Sequence, residues 1–265
     1  MKDRILSFLP DGYPWKDRLL TVAVTGSTND DLRALARRGA AHGTAIVAGS
    51  QTNGHGRMGR SFHSPEGHGI YLSILLRPDC LPTELMHLTC AAAVAMCDAV
   101  EAAVGFRPAI KWTNDLVFGR KKLGGILTEL GFTAQGAVDY AIIGIGVNCC
   151  QQPSDFPEAL RDMATSLSAS AGREVDPARV CAAMLTALHT MDAGLLTGKA
   201  AILERYRADC ITLNQEISLL RGDRITHGTA VAVDDQGALV VSCPDGTLET
   251  VNAGEVSIRG MYGYV

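Results

Sequence analysis

The sequence lacks several features that mark particular protein classes. Its eight cysteines form no CxxC pair and follow no regular spacing, which favours buried free thiols in a reducing compartment over a disulfide framework. The net charge is −4 at pH 7 and the pI is near 6.0, so overall composition gives no reason to expect a nucleic-acid partner. The apolar fraction of 47% and the charged fraction of 20% are typical of an ordinary soluble globular protein.

Targeting and membrane segments are also missing from the pattern. Charged residues interrupt the apolar ones throughout MKDRILSFLPDGYPWKDRLL at the N-terminus, so this stretch has no continuous apolar region of the kind that signal peptides carry. No run approaches the roughly 18 apolar residues that a membrane span requires. We therefore expect a cytoplasmic protein with no membrane partner.

The spacing of apolar residues divides the chain into two parts. Short buried strands alternate with helical segments at first, and from about 157 to 212 the pattern is helical. After Asn214 the apolar period shortens to two and turn residues separate short strands, which predicts a small β-barrel. We predict an α+β fold with a mixed central β-sheet and helices over residues 1–213 and a C-terminal small β-barrel domain over residues 214–265.

The stretch QTNGHGRMGR, residues 51–60, interrupts the chain directly after a predicted strand. Glycines free its backbone N–H groups, and Arg57 and Arg60 are spaced so that their guanidinium groups could converge on a phosphate. The stretch has neither the GK[ST] ending of a Walker A loop nor the spacing of a GxGxxG turn. A solvated surface loop is the alternative interpretation, and the stretch alone does not decide between the two.

Three further segments carry polar or glycine residues that core packing does not require. STND, residues 27–30, ends the first strand and is either a helix N-cap or a ligand site. The sequence of residues 110–130, IKWTNDLVFGRKKLGGILTEL, predicts a hairpin of two extended stretches. The hairpin is either an exposed tip whose charges keep it soluble or a place where a ligand approaches the paired glycines. GIGVNC, residues 144–149, indicates a bulge, close packing or ligand contact.

Taken in order, these motifs resemble those of bacterial biotin protein ligases, within the wider biotin/lipoate ligase superfamily. The matching stretches are STND, GHGRMGR with the following SP, KWTND, KKLGGIL and GIGVN. The C-terminal GEVSIRG also resembles the C-terminal domain of that family, so the likeness covers nearly the whole chain. The resemblance implies a class II synthetase-like biotin/lipoate ligase fold for the first domain.

The resemblance also implies roles for the residues that match these motifs. Catalytic roles fall to three cations, Lys122, Arg57 and Arg60. Biotin contacts fall to Ser27, Thr28, Asn29, Gln51, Gly54, Gly56, Lys122 and Gly124. Nucleotide contacts fall to Arg57, Arg60, Lys111, Asn114, Asp115 and Asn148, and Asp115 is also the candidate for Mg²⁺, directly or through water. The glycine loop is expected to be a mobile lid over the intermediate.

Two positions depart from the family pattern. His55 stands where the family usually has an arginine, so a side-chain role of that arginine is lost or depends on pH. Phe62 stands in place of a tryptophan, which keeps an apolar surface but removes the indole N–H. Both changes concern details of loop ordering.

The function implied by the resemblance is ATP-dependent biotin protein ligation. The enzyme would activate biotin to biotinoyl-5′-AMP with ATP and Mg²⁺ and transfer biotin to a lysine of the biotin carboxyl carrier protein domain of acetyl-CoA carboxylase or a related carboxylase. A lipoate-protein ligase of the same superfamily and a non-catalytic biotin-binding protein are the alternatives.

Family members that also act as repressors carry an N-terminal helix-turn-helix domain. About 20 residues precede the first predicted strand here, which is too few for such a domain. We therefore expect the monofunctional type, with no nucleic-acid partner, as a monomer or a homodimer.

Overall fold

The computed structural model describes residues 1–221, 224–252 and 257–260. Its centre is a seven-stranded sheet with the order β1-β2-β3-β7-β6-β5-β4, in which β1 and β2 are parallel and the other neighbours antiparallel. The strands are β1 (Leu19–Thr25), β2 (Ala45–Gln51), β3 (Gly69–Leu76), β4 (Ala109–Lys111), β5 (Asp115–Phe118), β6 (Lys121–Phe132) and β7 (Val138–Asn148).

Helices cover both faces of this sheet. They are α1 (Lys2–Leu6), α2 (Thr28–Arg37), α3 (Leu88–Val104), α4 (Leu167–Ala171), α5 (Pro177–Gly194) and α6 (Lys199–Asp209). On one face α3 packs against α5, α6 and β6, and it belongs to the main apolar core. On the other face Leu32 and Ala36 of α2 form a second apolar cluster with Ile46, Leu75 and Ile142 of the sheet.

The segment Pro82–Val104 is long and apolar enough to cross a membrane by length and composition. The prediction that no run approaches this length was therefore wrong. Within the fold 72% of the segment's apolar window is buried, and its small residues let α3 lie close to α5 in the core. The apolar character of this helix is accounted for by its place in the core.

The C-terminal strands form a separate antiparallel sheet with the order β11-β10-β9-β8-β12. They are β8 (Glu216–Arg221), β9 (Arg224–Val233), β10 (Leu239–Ser242), β11 (Leu248–Val251) and β12 (Ser257–Gly260). A mixed sheet with helices followed by a small β domain confirms the predicted fold class. The buried indole of Trp112 in the first part donates to Gly237 O in the second at 3.0 Å.

Two local predictions were wrong. Residues 110–118 are not one extended stretch, because the chain turns at residues 112–114 and β4 pairs back on β5, with Lys111 opposite Asp115. Residues 157–166 are not a helix but a short 3-10 turn, Glu158–Leu160, and irregular chain that bonds to Lys122 through Met163 O and Thr165 N. Tertiary hydrogen bonds replaced the helix there.

The prediction that the cysteines are free is confirmed, and burial holds for most of them. All eight cysteines are free, five of them buried and three half-buried.

Candidate active site

A cavity of about 510 Å³ lies where the start of α2, the chain after β2 and the strands β5, β6 and β7 meet. It brings together most of the residues that the motifs nominated, although they come from separate parts of the chain. The predicted residues that line it are Ser27, Thr28, Asn29, Gln51, Gly56, Arg57, Arg60, Lys111, Asn114, Asp115 and Lys122.

Glycines of β7 provide room on one wall of this cavity. A Cβ atom at Gly144 would lie 2.1 Å from Asn29 Oδ1, and one at Gly146 would lie 2.5 Å from the Phe62 ring. Alternate residues of a strand point to the same face, so these two glycines make adjacent gaps that Asn29 and Phe62 fill. The close-packing interpretation of GIGVN is correct, and the side chains packed there line the cavity themselves.

One end of the cavity is polar but carries few charges. Gln51 Oε1 accepts from the backbone N of Thr28 at 2.9 Å and from its hydroxyl at 3.1 Å, while Gln51 Nε2 donates to Ser64 Oγ at 3.1 Å. Thr28 and Ser64 are buried and Gln51 is half-buried, and their mutual hydrogen bonds hold these side chains in position. This end therefore offers fixed hydrogen-bonding groups to a neutral polar ligand.

The N-cap interpretation of STND is correct for the start of the helix but not for a side-chain cap. Ser27 is the N-cap residue of α2, yet no side chain caps the helix there. The Thr28 hydroxyl bonds to Gln51, and Asp31 Oδ2 instead accepts from Thr25 Oγ1. The polar groups at residues 27–29 thus serve the cavity and its walls.

The other end of the cavity is strongly charged. Lys122 Nζ lies 2.6 Å from Asp115 Oδ1, and Arg57 Nη1 donates to Asn114 Oδ1 at 3.1 Å. Asn114 is itself held by its amide, which donates to Ile126 O at 2.8 Å. Burial is the main cause that lowers the pKa of Arg57, against the opposing charge of Asp115. Burial on this scale strengthens the attraction of this cation for an anion.

The glycine loop folds over the cavity in a tight reversal. Phe62 N donates to Gly54 O at 2.8 Å and Gly56 N donates to Arg60 O at 2.7 Å. Between them Met58 has φ of 56° and Gly59 has φ of 69°, both in the left-handed region. The reversal brings Arg57 and Arg60 to the same cavity wall.

The chain matches known protein families and relatives over most of its length. Residues 22–148 match the Biotin/lipoate A/B protein ligase family, and residues 212–259 match the Biotin protein ligase C terminal domain family. The chain is 37% identical over 231 residues to the bifunctional ligase/repressor BirA of Bacillus subtilis, covering 87% of this chain and 71% of that protein. It is 32% identical over 252 residues to the biotin–[acetyl-CoA-carboxylase] ligase of Mycobacterium tuberculosis, covering 92% and 90%.

The chain belongs to the biotin protein ligase family. The structure of the Aquifex aeolicus biotin protein ligase in complex with biotin and ATP aligns with a TM-score of 0.77 at 29% identity, covering 91% of this chain and 98% of that one. Sequence and fold therefore agree on the family over both parts of the chain.

Three residues nominated by the biotin protein ligase motifs do not line the cavity. A Cβ at Gly54 would lie 2.8 Å from Phe62 O, and one at Gly124 would lie 2.5 Å from Gly146 O, so both glycines permit close backbone approach behind the wall. Asn148 is 7% exposed and its amide donates to Thr165 O at 3.0 Å. Asn148 therefore holds the chain beside Lys122 and does not face the cavity.

Twelve further residues line the cavity, most of them inside these motifs but without an assigned binding role. The additional lining residues are His55, Met58, Ser61, Phe62, Trp112, Gly125, Ile126, Leu127, Gly144, Ile145, Gly146 and Met163. Met163 arrives from the irregular chain after residue 157, where nothing in the sequence signals a cavity contact. Ser73 and Glu129, which contact Asn29 from behind, were missed too, although a serine inside the apolar strand GIYLSILL was a visible signal.

Proposed function

We propose that this chain activates biotin with ATP to biotinoyl-5′-AMP and transfers the biotin to a lysine of a biotin carboxyl carrier protein domain. The observation that carries this proposal is that polar groups, at Thr28 and Gln51, and cations, at Arg57 and Lys122, line one and the same cavity. A ligand with a neutral polar ring and a carboxylate tail matches that division.

Biotin recognition is assigned to the polar end. The biotin ring carries a ureido group, which needs donors and acceptors at fixed positions on an otherwise apolar wall. Hydroxyl and amide groups of Ser27, Thr28, Asn29 and Gln51 line this end, and Ile126 and Leu127 add apolar surface. Lipoate has no ureido group, so this set of donors and acceptors favours biotin as the substrate.

Adenylate formation is assigned to the cationic end. The biotin carboxylate must attack the α-phosphate of ATP, and two unit charges ~4 Å apart repel by about 4 kcal/mol at an effective dielectric constant of 20. Arg57, Arg60 and Lys122 line this end and offset the repulsion. The attack forms a carboxylate–phosphate bond and releases pyrophosphate. Lys111, Asn114 and Asp115 line the same end, on the nucleotide side.

The donor set fits a Mg²⁺ ion that is bound mainly by substrate. Among the described residues no group of three His, Cys, Asp or Glu side chains could hold a metal alone. Mg²⁺ is usually held by one or two carboxylates together with phosphate oxygens and waters, and Asp115 supplies one carboxylate. Bound there with ATP, Mg²⁺ would neutralise phosphate charge.

Transfer requires that water be kept from the mixed anhydride. The carrier lysine attacks the biotinoyl carbonyl and AMP leaves, so no covalent intermediate with the enzyme is needed. Closure of the loop over residues 51–62 would exclude water while Arg57 and Arg60 hold the phosphate. No cysteine lines the cavity among the described residues, which agrees with a reaction that uses no protein nucleophile.

The wider setting follows from the same proposal. The acceptor is the carrier domain of acetyl-CoA carboxylase or a related carboxylase, and the enzyme acts in the cytoplasm as a monomer or homodimer without nucleic-acid or membrane partners.

The proposal is tested in two measurements. The purified chain should catalyse pyrophosphate–ATP exchange that depends on biotin, and with MgATP it should add the mass of one biotinoyl group to a carrier domain. Lipoate serves as the matched control substrate. Exchange that requires lipoate while biotin is inert would assign the chain to the lipoate ligases, and biotin binding without exchange would leave only a binding protein.

A further inference from the structure

A chain of hydrogen bonds runs behind the polar end of the cavity. Asn29 Nδ2 donates to Glu129 Oε2 at 2.7 Å. The Ser73 hydroxyl lies 2.6 Å from Asn29 Oδ1 and 2.7 Å from Thr28 Oγ1. Thr28 in turn donates to Gln51 Oε1 at 3.1 Å. Glu129 and Ser73 do not line the cavity, yet they are joined to three residues that do.

Both ends of this chain are groups that only accept hydrogen bonds. At one end stands the Glu129 carboxylate. At the other, Gln51 Nε2 donates to Ser64 Oγ at 3.1 Å and Ser64 donates to Phe62 O at 3.0 Å. Because carboxylate and carbonyl oxygens have no proton to give, the two amides next to these ends have fixed directions: the Asn29 NH₂ group faces Glu129, and the Gln51 NH₂ group faces Ser64.

The direction of these bonds fixes how Asn29 presents its amide. The Asn29 NH₂ group must face Glu129 and its oxygen must face Ser73. The reversed amide would bring two acceptor oxygens within 2.7 Å of each other across the Asn29–Glu129 contact. Ser73 is fully buried, so its single proton is the donor for the Asn29 oxygen. Glu129 therefore decides which atom of Asn29 faces which way.

The fixed amides leave donors for a ligand in the cavity. An amide NH₂ group has two N–H donors, and both Asn29 and Gln51 use one of theirs within the chain. Since both side chains line the cavity, their second N–H groups suit a carbonyl oxygen such as that of a cyclic urea.

We propose that Glu129 is a positioning residue for biotin recognition, which acts through Asn29 by holding its NH₂ group towards Glu129 and its oxygen towards Ser73. This inference rests on the proposed function and adds a residue that lies outside the cavity. It assigns to Glu129 an effect on biotin affinity and none on ATP affinity, because the chain ends at the polar end of the cavity.

The two oxygens of Glu129 allow this role to be separated from an ion pair. Oε2 accepts from Asn29, while Oε1 lies 2.5 Å from Arg33 Nη2 on α2. Glu129→Gln removes the acceptor-only group and the ion pair together. Arg33→Gln removes the ion pair and leaves the acceptor for Asn29 in place, so it is the matched control.

Isothermal titration with biotin and, separately, with ATP tests the proposal. Glu129→Gln should weaken biotin binding by about tenfold or more, because Asn29 loses its fixed orientation at a cost near that of one buried hydrogen bond to a charged group. ATP binding should change by less than about twofold, and Arg33→Gln should change biotin binding by less than about threefold.

A double-mutant cycle distinguishes positioning from general structural support. In the Asn29→Ala background, Glu129→Gln should have no further effect on biotin binding, because its target is gone. An equal loss in both backgrounds, or biotin affinity unchanged in Glu129→Gln, would overturn the proposal. If the wild-type protein does not bind biotin, the proposed function is wrong and this inference fails with it. If the wild type binds biotin and Glu129→Gln binds it equally well, only this inference fails.

Ser73→Ala supplies a second variant if Glu129→Gln does not fold. It removes one buried hydroxyl without adding volume and leaves the Asn29 oxygen without its donor. We expect biotin binding to weaken by about fivefold or more while ATP binding is retained. Unchanged biotin affinity in folded Ser73→Ala would overturn the proposed chain.

Discussion

Lys121 and Lys122 are neighbours at the start of β6 but meet different surroundings. Lys122 Nζ lies 2.6 Å from Asp115 Oδ1 on the cavity wall, whereas Lys121 Nζ lies 3.3 Å from Arg161 O outside the cavity. Consecutive residues of a strand point to opposite faces, which separates a candidate catalytic cation from one that lies outside the cavity lining. The pair thus offers a test with its own control.

We predict that Lys122→Ala reduces biotin-dependent pyrophosphate–ATP exchange by about 100-fold or more, because it removes a cation from the place where two anions meet. Lys121→Ala should stay within about twofold of wild type. Initial rates at saturating biotin and ATP make the comparison. Equal activity of the two variants would exclude Lys122 from the adenylation step.

Gly144 shows how a single missing side chain shapes the site. Its Cβ would lie 2.1 Å from Asn29 Oδ1, so Gly144→Ala must displace Asn29 from the cavity wall. We predict a loss of about 1–3 kcal/mol in the free energy of unfolding and weaker biotin binding. Urea denaturation and titration with biotin measure the two effects.

The control for Gly144→Ala is a glycine with open space around it. A Cβ at Gly194, in the last turn of α5, meets nothing within 4 Å. Gly194→Ala should therefore leave biotin affinity unchanged and the free energy of unfolding within about 0.5 kcal/mol of wild type. Normal biotin binding by Gly144→Ala would show that Asn29 can move without cost.

At the scale of elements, the loop over residues 51–62 carries cleavable arginines at the mouth of the cavity. Met58 is 55% exposed and Arg60 is exposed in this structure. We predict that biotin with MgATP slows trypsin cleavage after Arg57 and Arg60 at least several-fold, because the loop orders over the intermediate and local opening becomes less frequent.

Cleavage elsewhere gives an internal control for this measurement. Arg38 is exposed at the end of α2, next to the turn at Gly39, and lies outside the cavity lining. Its cleavage rate should not respond to biotin and MgATP. Mass spectrometry of timed digests resolves both sites, and equal protection at Arg38 would mean that the ligands act on global stability instead of on the loop.

The sequence correctly predicted the helices and strands whose own residues carry a full pattern of apolar spacing. α5 and α6 were expected from apolar residues three and four apart, and β2 and β3 from short apolar runs. The chain over residues 157–166 has a helical spacing too, but its backbone bonds to Lys122 at the start of β6. Hydrogen bonds to a strand that is distant in sequence cannot be predicted from the residues of the segment itself.

The same distinction applies to the site. Thr28, Gln51 and Lys122 stand in motifs that combine unusual residues, so their resemblance to a family could be recognised. Asn148 stands in such a motif but faces Thr165 O, because strand direction, and not residue type, decides what it contacts. Ser73 and Glu129 matter only through contacts across the sheet, which no spacing along the chain encodes.

At the scale of the whole molecule, the apolar core passes from the large sheet into the small β domain. The main core cluster contains Trp15 and Trp112 together with Val233, Leu239 and Val241 of the C-terminal strands. Trp112 also donates to Gly237 O at 3.0 Å and lines the cavity. A continuous core predicts that the two parts unfold together and that the small domain supports the site.

The two tryptophans of the sequence, Trp15 and Trp112, can test this cooperativity separately. Trp15→Phe leaves a reporter at the junction with the small domain, and Trp112→Phe leaves a reporter beside His42 and His189, far along the core. In each variant we predict that tryptophan fluorescence and far-ultraviolet circular dichroism give the same urea midpoint. Trp112→Phe should also lower the free energy of unfolding by about 1–3 kcal/mol, because Gly237 O loses its buried donor.

Comparing two probes within one variant removes the difference in stability between variants. If the small domain unfolded on its own, the fluorescence of Trp112 in the Trp15→Phe variant would change at a lower urea concentration than the circular dichroism of the helices. In the Trp112→Phe variant, the fluorescence of Trp15 would change at the same urea concentration as the circular dichroism. A single midpoint for both probes in both variants requires that the core across the junction be lost in one step, and with it the wall of the cavity that Trp112 forms.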